Sequence, residues 1–321
     1  MANTADIIRA RRKGWVTGSA GRFAGPSAPL SGIAPYGTFA GFAGKGSTYL
    51  ALNSGTEYVN EGTQTSPYWT PSNFVQNSVF GAFADFRDSI GKAHADTAAT
   101  VTLAGNGLRI HGQGIAEIDS GVVVTQDEGG PVARLTTTDE DAHLVSLGFG
   151  GTTVPFQPDT HGPLVVDAEI TNVTALTLRR IFIGFIGTAA DALDPPVTST
   201  TLTHTLVQDD LAGIAMDAAM TAATRLWAVH NKSDEAATLA STATGCDTGV
   251  AISAVGTYQR LRVEISRAGV MTCFADKVQI ARVAASLDVD EEVAPVLLLG
   301  STSTAVKALD VKRFACWGAR A

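Results

Sequence analysis

The chain has 321 residues, a formal net charge of -8, 45% hydrophobic residues and only 17% charged ones, with 33 glycines and 12 prolines. That length buries a full core and suits one large β-domain with an appendage, while the scarcity of charge excludes the Glu- and Lys-covered faces of a helical protein. The negative balance excludes the whole molecule as an electrostatic binder of nucleic acid.

Charge is uneven along the chain. In the first fifty residues Arg9, Arg11, Arg12, Lys13, Arg22 and Lys45 face a single acid, Asp6, and a basic segment ahead of an acidic body reads as a docking arm. With Ile7 and Ile8 before it and Trp15 after it, the basic cluster reads as a mixed anchor in which guanidinium groups meet carboxylates around a buried aromatic. Residues 1–82 interleave glycines with Trp15, Phe23, Tyr36, Phe39, Phe42 and Tyr49, and no helical or strand period persists. Such a stretch is expected to lack a core of its own and to order only against another surface. Pro67 and Pro71 bracket Tyr68 and Trp69 and are expected to hold both rings out from an extended piece. The candidate docking residues are therefore Arg9, Arg11, Arg12, Lys13, Trp15, Tyr36, Tyr68 and Trp69. On that reading Trp69→Ala leaves the free protein's melting temperature unchanged.

Phe74, Val75, Val79, Phe80, Phe83 and Phe86 have helix-like spacing, and the boundary between arm and domain is placed there, giving 1–82 and 83–321. Strands are expected at 100–103, 108–112, 121–125, 133–137, 143–149 and 163–170. Arg180-Ile-Phe-Ile-Gly-Phe-Ile-Gly187 is apolar on both parities and reads as a central strand covered on both sides. A long loop over 188–203 leads to a strand ending at Asp217, then to Arg225-Leu-Trp-Ala-Val-His230. Runs at 257–265, 270–280, 294–299 and 309–317 follow. Tyr258, Leu261, Val263 and Ile265 show the mostly period-2 spacing of a strand with one buried face. Turn residues at short intervals make this an antiparallel β-sandwich pattern.

The succession Ile183-Gly-Phe185, a proline loop with Pro195 and Pro196, Ala215-Met-Asp217 and Leu226-Trp-Ala228 resembles concanavalin A-like jelly rolls, in particular the lectin-fold modules of tailed-phage virion proteins. The resemblance spans roughly residues 97–321. It implies an all-β jelly-roll sandwich carrying an extended amino-terminal arm. It also implies a non-enzymatic virion protein, most sharply a capsid decoration or cement protein on the exterior of the shell, made in the host cytoplasm. The implied partner is the major capsid protein or another virion protein, with closed homo-oligomers, trimers above all. The alternative is a carbohydrate-binding module of a fibre or spike that contacts host surface glycan. Against it, Trp227, Trp317 and Tyr258 all fall in strand patterns that suggest core.

Catalysis has one specific test. Laminarinase-type glycanases of this fold carry a Glu-x-Asp-x-x-Glu strand whose carboxylates share one face. Glu117-Ile-Asp119 begins that pattern and stops at Gly121 and Val122, and Asp167-Ala-Glu169 continues into Ile170 and Thr171; both read as solvated strand faces. Six scattered histidines show no ligand spacing, although His111 and His143 both fall in expected strands. Acidic stretches at 139–141, 209–210 and 288–292 read as solvated loops. Gly44-Lys-Gly46 lacks the hydroxyl of a nucleotide loop. No cofactor or metal is expected. Cys246, Cys273 and Cys316 are expected as buried reduced thiols, and no apolar run reaches the roughly 18 residues of a membrane span.

Overall fold

The computed structural model describes residues 20–52, 55–72, 79–84, 100–102, 108–112, 121–127, 130–137, 143–149, 156–187, 195–208, 210–232 and 238–319. An amino-terminal unit comes first, with β1 (Arg22–Gly25), β2 (Thr48–Ala51), β3 (Thr56–Asn60) and β4 (Trp69–Pro71) in that order across one sheet. The chain continues through β5 (Val79–Ala84), β6 (Thr100–Thr102), β7 (Leu108–Gly112), β8 (Gly121–Asp127), β9 (Gly130–Thr136) and β10 (Leu144–Phe149). A one-turn helix, α1 (Pro158–His161), precedes β11 (Leu164–Asn172) and β12 (Arg179–Gly187). Then come β13 (Val197–Thr200), β14 (Thr203–Leu206), β15 (Leu211–Asp217), β16 (Arg225–Asn231), β17 (Thr238–Ala240) and β18 (Asp247–Ala251). The last strands are β19 (Tyr258–Ile265), β20 (Met271–Ala275), β21 (Val278–Val283), β22 (Val293–Ser301) and β23 (Ala308–Ala319).

Two eight-stranded sheets form the sandwich. Sheet I runs β18-β16-β15-β12-β22-β10-β7-β6, and sheet II runs β21-β20-β19-β11-β23-β9-β8 with β5 also paired to β23. Between them, alternate residues of each strand interdigitate: Ile181, Ile183 and Phe185 of β12 and Leu297 and Leu299 of β22 meet Val166, Ala168 and Ile170 of β11 and Leu261 and Val263 of β19. The period-2 reading of 257–265 holds for Leu261, Val263 and Ile265, and so does the jelly-roll class; Tyr258, expected in the core, lies on the other parity, only partly buried, with Lys312 Nζ 5.1 Å from its ring. Each fully buried side chain of this size contributes roughly 1.5–3 kcal/mol, so the interdigitated layer is the main source of stability.

The central strand is β12. It lies between β15 and β22, and the face turned away from the main core is buried as well: Phe182 and Ile186 join Val197, Leu206, Trp227, Val229 and Leu298 in a second cluster. That cluster sits under a small sheet of β13, β14 and β17, so the stretch expected to be loop over 188–203 supplies a strand instead. Gly184 pairs with Gly213 for a steric reason. A Cβ on either would come within 2.8 Å and 2.7 Å of the Phe182 ring, respectively.

The expected helix near Phe80 is replaced by β5, paired with β23 from Phe314↔Ala84 to Ala319↔Val79. The run Val79-Phe-Gly-Ala-Phe-Ala84 satisfies either period over so few residues. β23 extends past its pairing with β9 and offers a free ladder edge, which decides in favour of strand. The boundary expected at residue 82 thus falls within a strand of sheet II; Phe74, Val75 and Phe86 lie outside the described residues. The single run expected at 270–280 breaks at Asp276 and Lys277, with φ of 49° and 70°, the two positive-φ positions of a tight hairpin turn between β20 and β21.

The amino-terminal unit corrects a further expectation. Residues 20–72 close an aromatic core of their own: Phe23 lies 4.5 Å from Phe39, Phe39 lies 6.0 Å from Tyr49, and Tyr49 lies 5.7 Å from Trp69, centroid to centroid. Turns, rather than a regular period, bring these rings together. Buried Asn60 fastens them, donating to the Ala43 carbonyl at 2.6 Å and accepting from the backbone N–H groups of Gly62 and Tyr68, each at 2.8 Å. An aperiodic glycine-rich segment folds here because side-chain amides and turns satisfy backbone groups that a regular ladder would otherwise satisfy.

Candidate functional site

The outer face of sheet II carries charge. On β11 the residues between the core positions include Asp167 and Glu169, and on β19 they are Arg260, Arg262 and Glu264, in a chain with few charged residues. Register places Asp167 opposite Arg262 and Glu169 opposite Arg260. The amino-terminal unit roofs this face. Asp167 is fully buried, accepting from Arg262 Nε at 2.8 Å, from Arg260 Nε and Nη2 at 2.8 Å each, and from the Tyr68 hydroxyl at 3.0 Å. Arg262 continues into the roof, donating to the Trp69 carbonyl at 2.7 Å and to Thr70 Oγ1 at 2.9 Å. Its guanidinium lies 3.5 Å from the centroid of the Tyr68 ring, whose edge meets Phe274. Arg260 reaches Glu61 of the roof at 2.6 Å, and Lys277 stands 3.5 Å from the same carboxylate.

Burial by itself would raise the Asp167 pKa, but the charges of Arg262 and Arg260 outweigh it and hold the carboxyl well below the usual carboxylate range. Glu264 goes the other way. Its burial raises the pKa despite Arg262 Nη1 at 3.2 Å and the Ser31 N–H at 3.2 Å.

At the edge of the roof a cavity of about 230 Å³ opens between residues 30–36 and strands β19 to β21, lined by Leu30, Ser31, Pro35, Tyr36, Glu264, Ser266, Val270, Thr272 and Arg282. The Arg282 guanidinium lies 3.5 Å from the Tyr36 ring centroid.

Of the docking residues expected from sequence, Arg9, Arg11, Arg12, Lys13 and Trp15 lie outside the described residues. Tyr36 is half exposed, at the cavity. Tyr68 and Trp69 are 0% and 2% exposed, and this corrects the expectation that they project: the prolines do extend the chain, but the Tyr68 ring is spent joining the roof to the sandwich and the Trp69 ring is packed in the roof's own core. The solvated reading of Asp167-Ala-Glu169 is corrected too. Asp167 is sealed and ion-paired, while Glu169 stands 3.9 Å from Lys312. Glu117 and Asp119 lie outside the described residues.

His111 pairs in register with Ser146. Among the described residues no three His, Cys, Asp or Glu side chains cluster to hold a metal, and no helix is long and apolar enough to cross a membrane. Cys246, Cys273 and Cys316 are buried thiols outside any disulfide, as expected, and Trp227 and Trp317 are core residues. Sequence reading missed Arg260, Arg262, Glu264 and Arg282; the signal available was the charged period-2 face Arg260-x-Arg262-x-Glu264.

No family model matches the chain, and no curated protein matches it. Among solved structures it is similar to a protein of unknown function from Shewanella oneidensis MR-1, at 12% identity over 77% of this chain and 90% of that one, TM-score 0.45. It is also similar to the Emp47p carbohydrate recognition domain (11% identity, 75% and 98% covered, TM-score 0.43) and to a glycoside hydrolase family 16 endo-glucanase from Bacteroides ovatus (11%, 73% and 98%, TM-score 0.42). The class defined by the two antiparallel sheets is the jelly-roll β-sandwich.

Proposed function

We propose that the protein is a non-catalytic structural component of a tailed-phage virion, a capsid decoration or cement protein whose jelly roll sits on the outer surface of the shell. The observation that supports a structural rather than hydrolytic role is the sealing of Asp167: a carboxylate held by two arginines under a protein roof neither donates a proton nor reaches a polymer. The phage setting rests on the sequence resemblance over residues 97–321. With Tyr68 and Trp69 accounted for inside the fold, attachment to the major capsid protein falls to Arg9, Arg11, Arg12, Lys13 and Trp15, and closed trimers would add avidity.

The test is deletion of residues 1–19, with occupancy measured on bare capsids. The deleted protein should keep its melting temperature and lose attachment; wild-type occupancy would move attachment to the sandwich surface. Hydrolysis of β-glucan that vanished in Glu117→Gln would replace this reading with a glycanase.

A second reading, glycan binding by the same protein, is supported by the cavity beside Tyr36, an open recess with an apolar wall and polar groups at its edges, as ligand sites have.

A further inference from the structure

The cavity is built on one cross-strand row. Glu264 on β19 pairs with Thr272 on β20, and Thr272 pairs with Arg282 on β21, so an acid, a hydroxyl and a guanidinium stand in line on one face. Successive strands are about 4.8 Å apart, which sets roughly 10 Å between the backbone positions of the acid and the cation. Tyr36 forms a wall from the roof side, and Leu30 and Val270 add apolar surface.

The two ends of the row have capacity left. Glu264 accepts long bonds from Arg262 Nη1 and the Ser31 N–H, 3.2 Å each, beside one from the Ser31 side chain, and its two carboxylate oxygens offer four lone pairs. Arg282 differs from Arg260 and Arg262: among the described residues no carboxylate pairs with it, and its recorded neighbour is the Tyr36 ring. Stacking on that ring fixes the guanidinium plane while leaving its N–H fork free, the arrangement that suits bidentate capture of a carboxylate. At about 230 Å³ the space is below the roughly 300–1,000 Å³ of drug-sized pockets, so it fits one ring rather than a chain.

We propose that this cavity binds a single carboxylate-bearing sugar residue, a uronic or comparable acidic monosaccharide, with its carboxylate on Arg282, hydroxyls on Thr272 and Glu264, and its apolar ring face on Leu30 and Val270. The inference rests on the glycan-binding reading and deepens it, and it is independent of how the protein attaches to a particle. An acidic ring meets both ends of the row, whereas a neutral sugar leaves Arg282 without its counter-charge.

The experiment is titration of the full chain with D-glucuronate and with D-glucose, followed by amide NMR shifts and calorimetry. Glucuronate should shift Tyr36, Thr272 and Arg282 and bind at least about tenfold more tightly than glucose, as one charge-assisted pair implies. Arg282→Met, which keeps an alkyl stem against Tyr36, should erase the preference for the acid. Thr272→Val should weaken both sugars while the melting temperature stays in place. Equal affinity for both sugars at this cavity would overturn the acidic-sugar inference and leave glycan binding standing, and so would shifts confined to another surface. No binding of either sugar at about 10 mM, a range of very weak affinity, would overturn both.

Discussion

Arg262 and Asp167, both fully buried, meet twice, through Nε at 2.8 Å and Nη2 at 2.7 Å, and the same guanidinium holds the Trp69 carbonyl of the roof. Two fully buried charges gain little over a well-packed apolar pair, but removing one partner strands the other. Asp167→Asn is expected to lower stability by about 3–5 kcal/mol, read by denaturant unfolding. The variant should also lose acid sensitivity. Because the folded-state pKa of Asp167 is depressed, its contribution is fully present above the unfolded value near pH 4 and is lost as pH falls below that. A variant as stable as the wild type at pH 7 would show that the ion pair does not hold the roof.

Trp69 packs against Tyr49 inside the roof core, so Trp69→Ala is expected to destabilise the free protein by about 3–5 kcal/mol. Tyr68→Phe removes one hydrogen bond to a charged acceptor and should cost about 1.5 kcal/mol. Thermal melts of the unassembled protein check both; an unchanged melting temperature for the tryptophan variant would restore its role as an external anchor.

Gly32 is one of the contact points between the roof and β21. Its φ is +117°, and a Cβ there would lie 2.5 Å from Gln279 Oε1, the atom that accepts from the Ile33 N–H at 3.1 Å. Gly32→Ala is expected to cost about 2 kcal/mol and to loosen the roof ahead of the sandwich. Limited proteolysis should then cut within residues 20–72 faster than in the wild type, leaving the sandwich intact.

His204 tests the second core cluster. It is fully buried on β14, with Nδ1 2.8 Å from Ser199 Oγ and the ring edge against Trp227. Burial lowers its pKa to about 4, although Asp217 acts in the opposite direction. Between pH 6.5 and 4 the unfolded chain binds a proton that the folded chain refuses, so stability is lost as pH is lowered through that window, by about 3 kcal/mol in total. His204→Gln should flatten the slope of unfolding free energy there. A slope unchanged by the substitution would assign it to other groups.

The sandwich was legible in the sequence because burial of one strand face writes itself locally as a period of two. Residues 257–265 and the doubly apolar 180–187 carry that signature, and it fixed the all-β class and the central position of β12. The roof left no such trace. Phe23, Phe39, Tyr49 and Trp69 meet through turns, and nothing in their spacing distinguishes a core of their own from a surface awaiting a partner. The same limit applied to charge: alternation shows that Asp167, Arg260 and Arg262 share strand faces, but whether water or a roof lies over them depends on contacts nearly a hundred residues apart or more. Local sequence determines which side chains can be buried together, and only tertiary packing decided which were, since desolvation and ion pairing depend on what closes over a face.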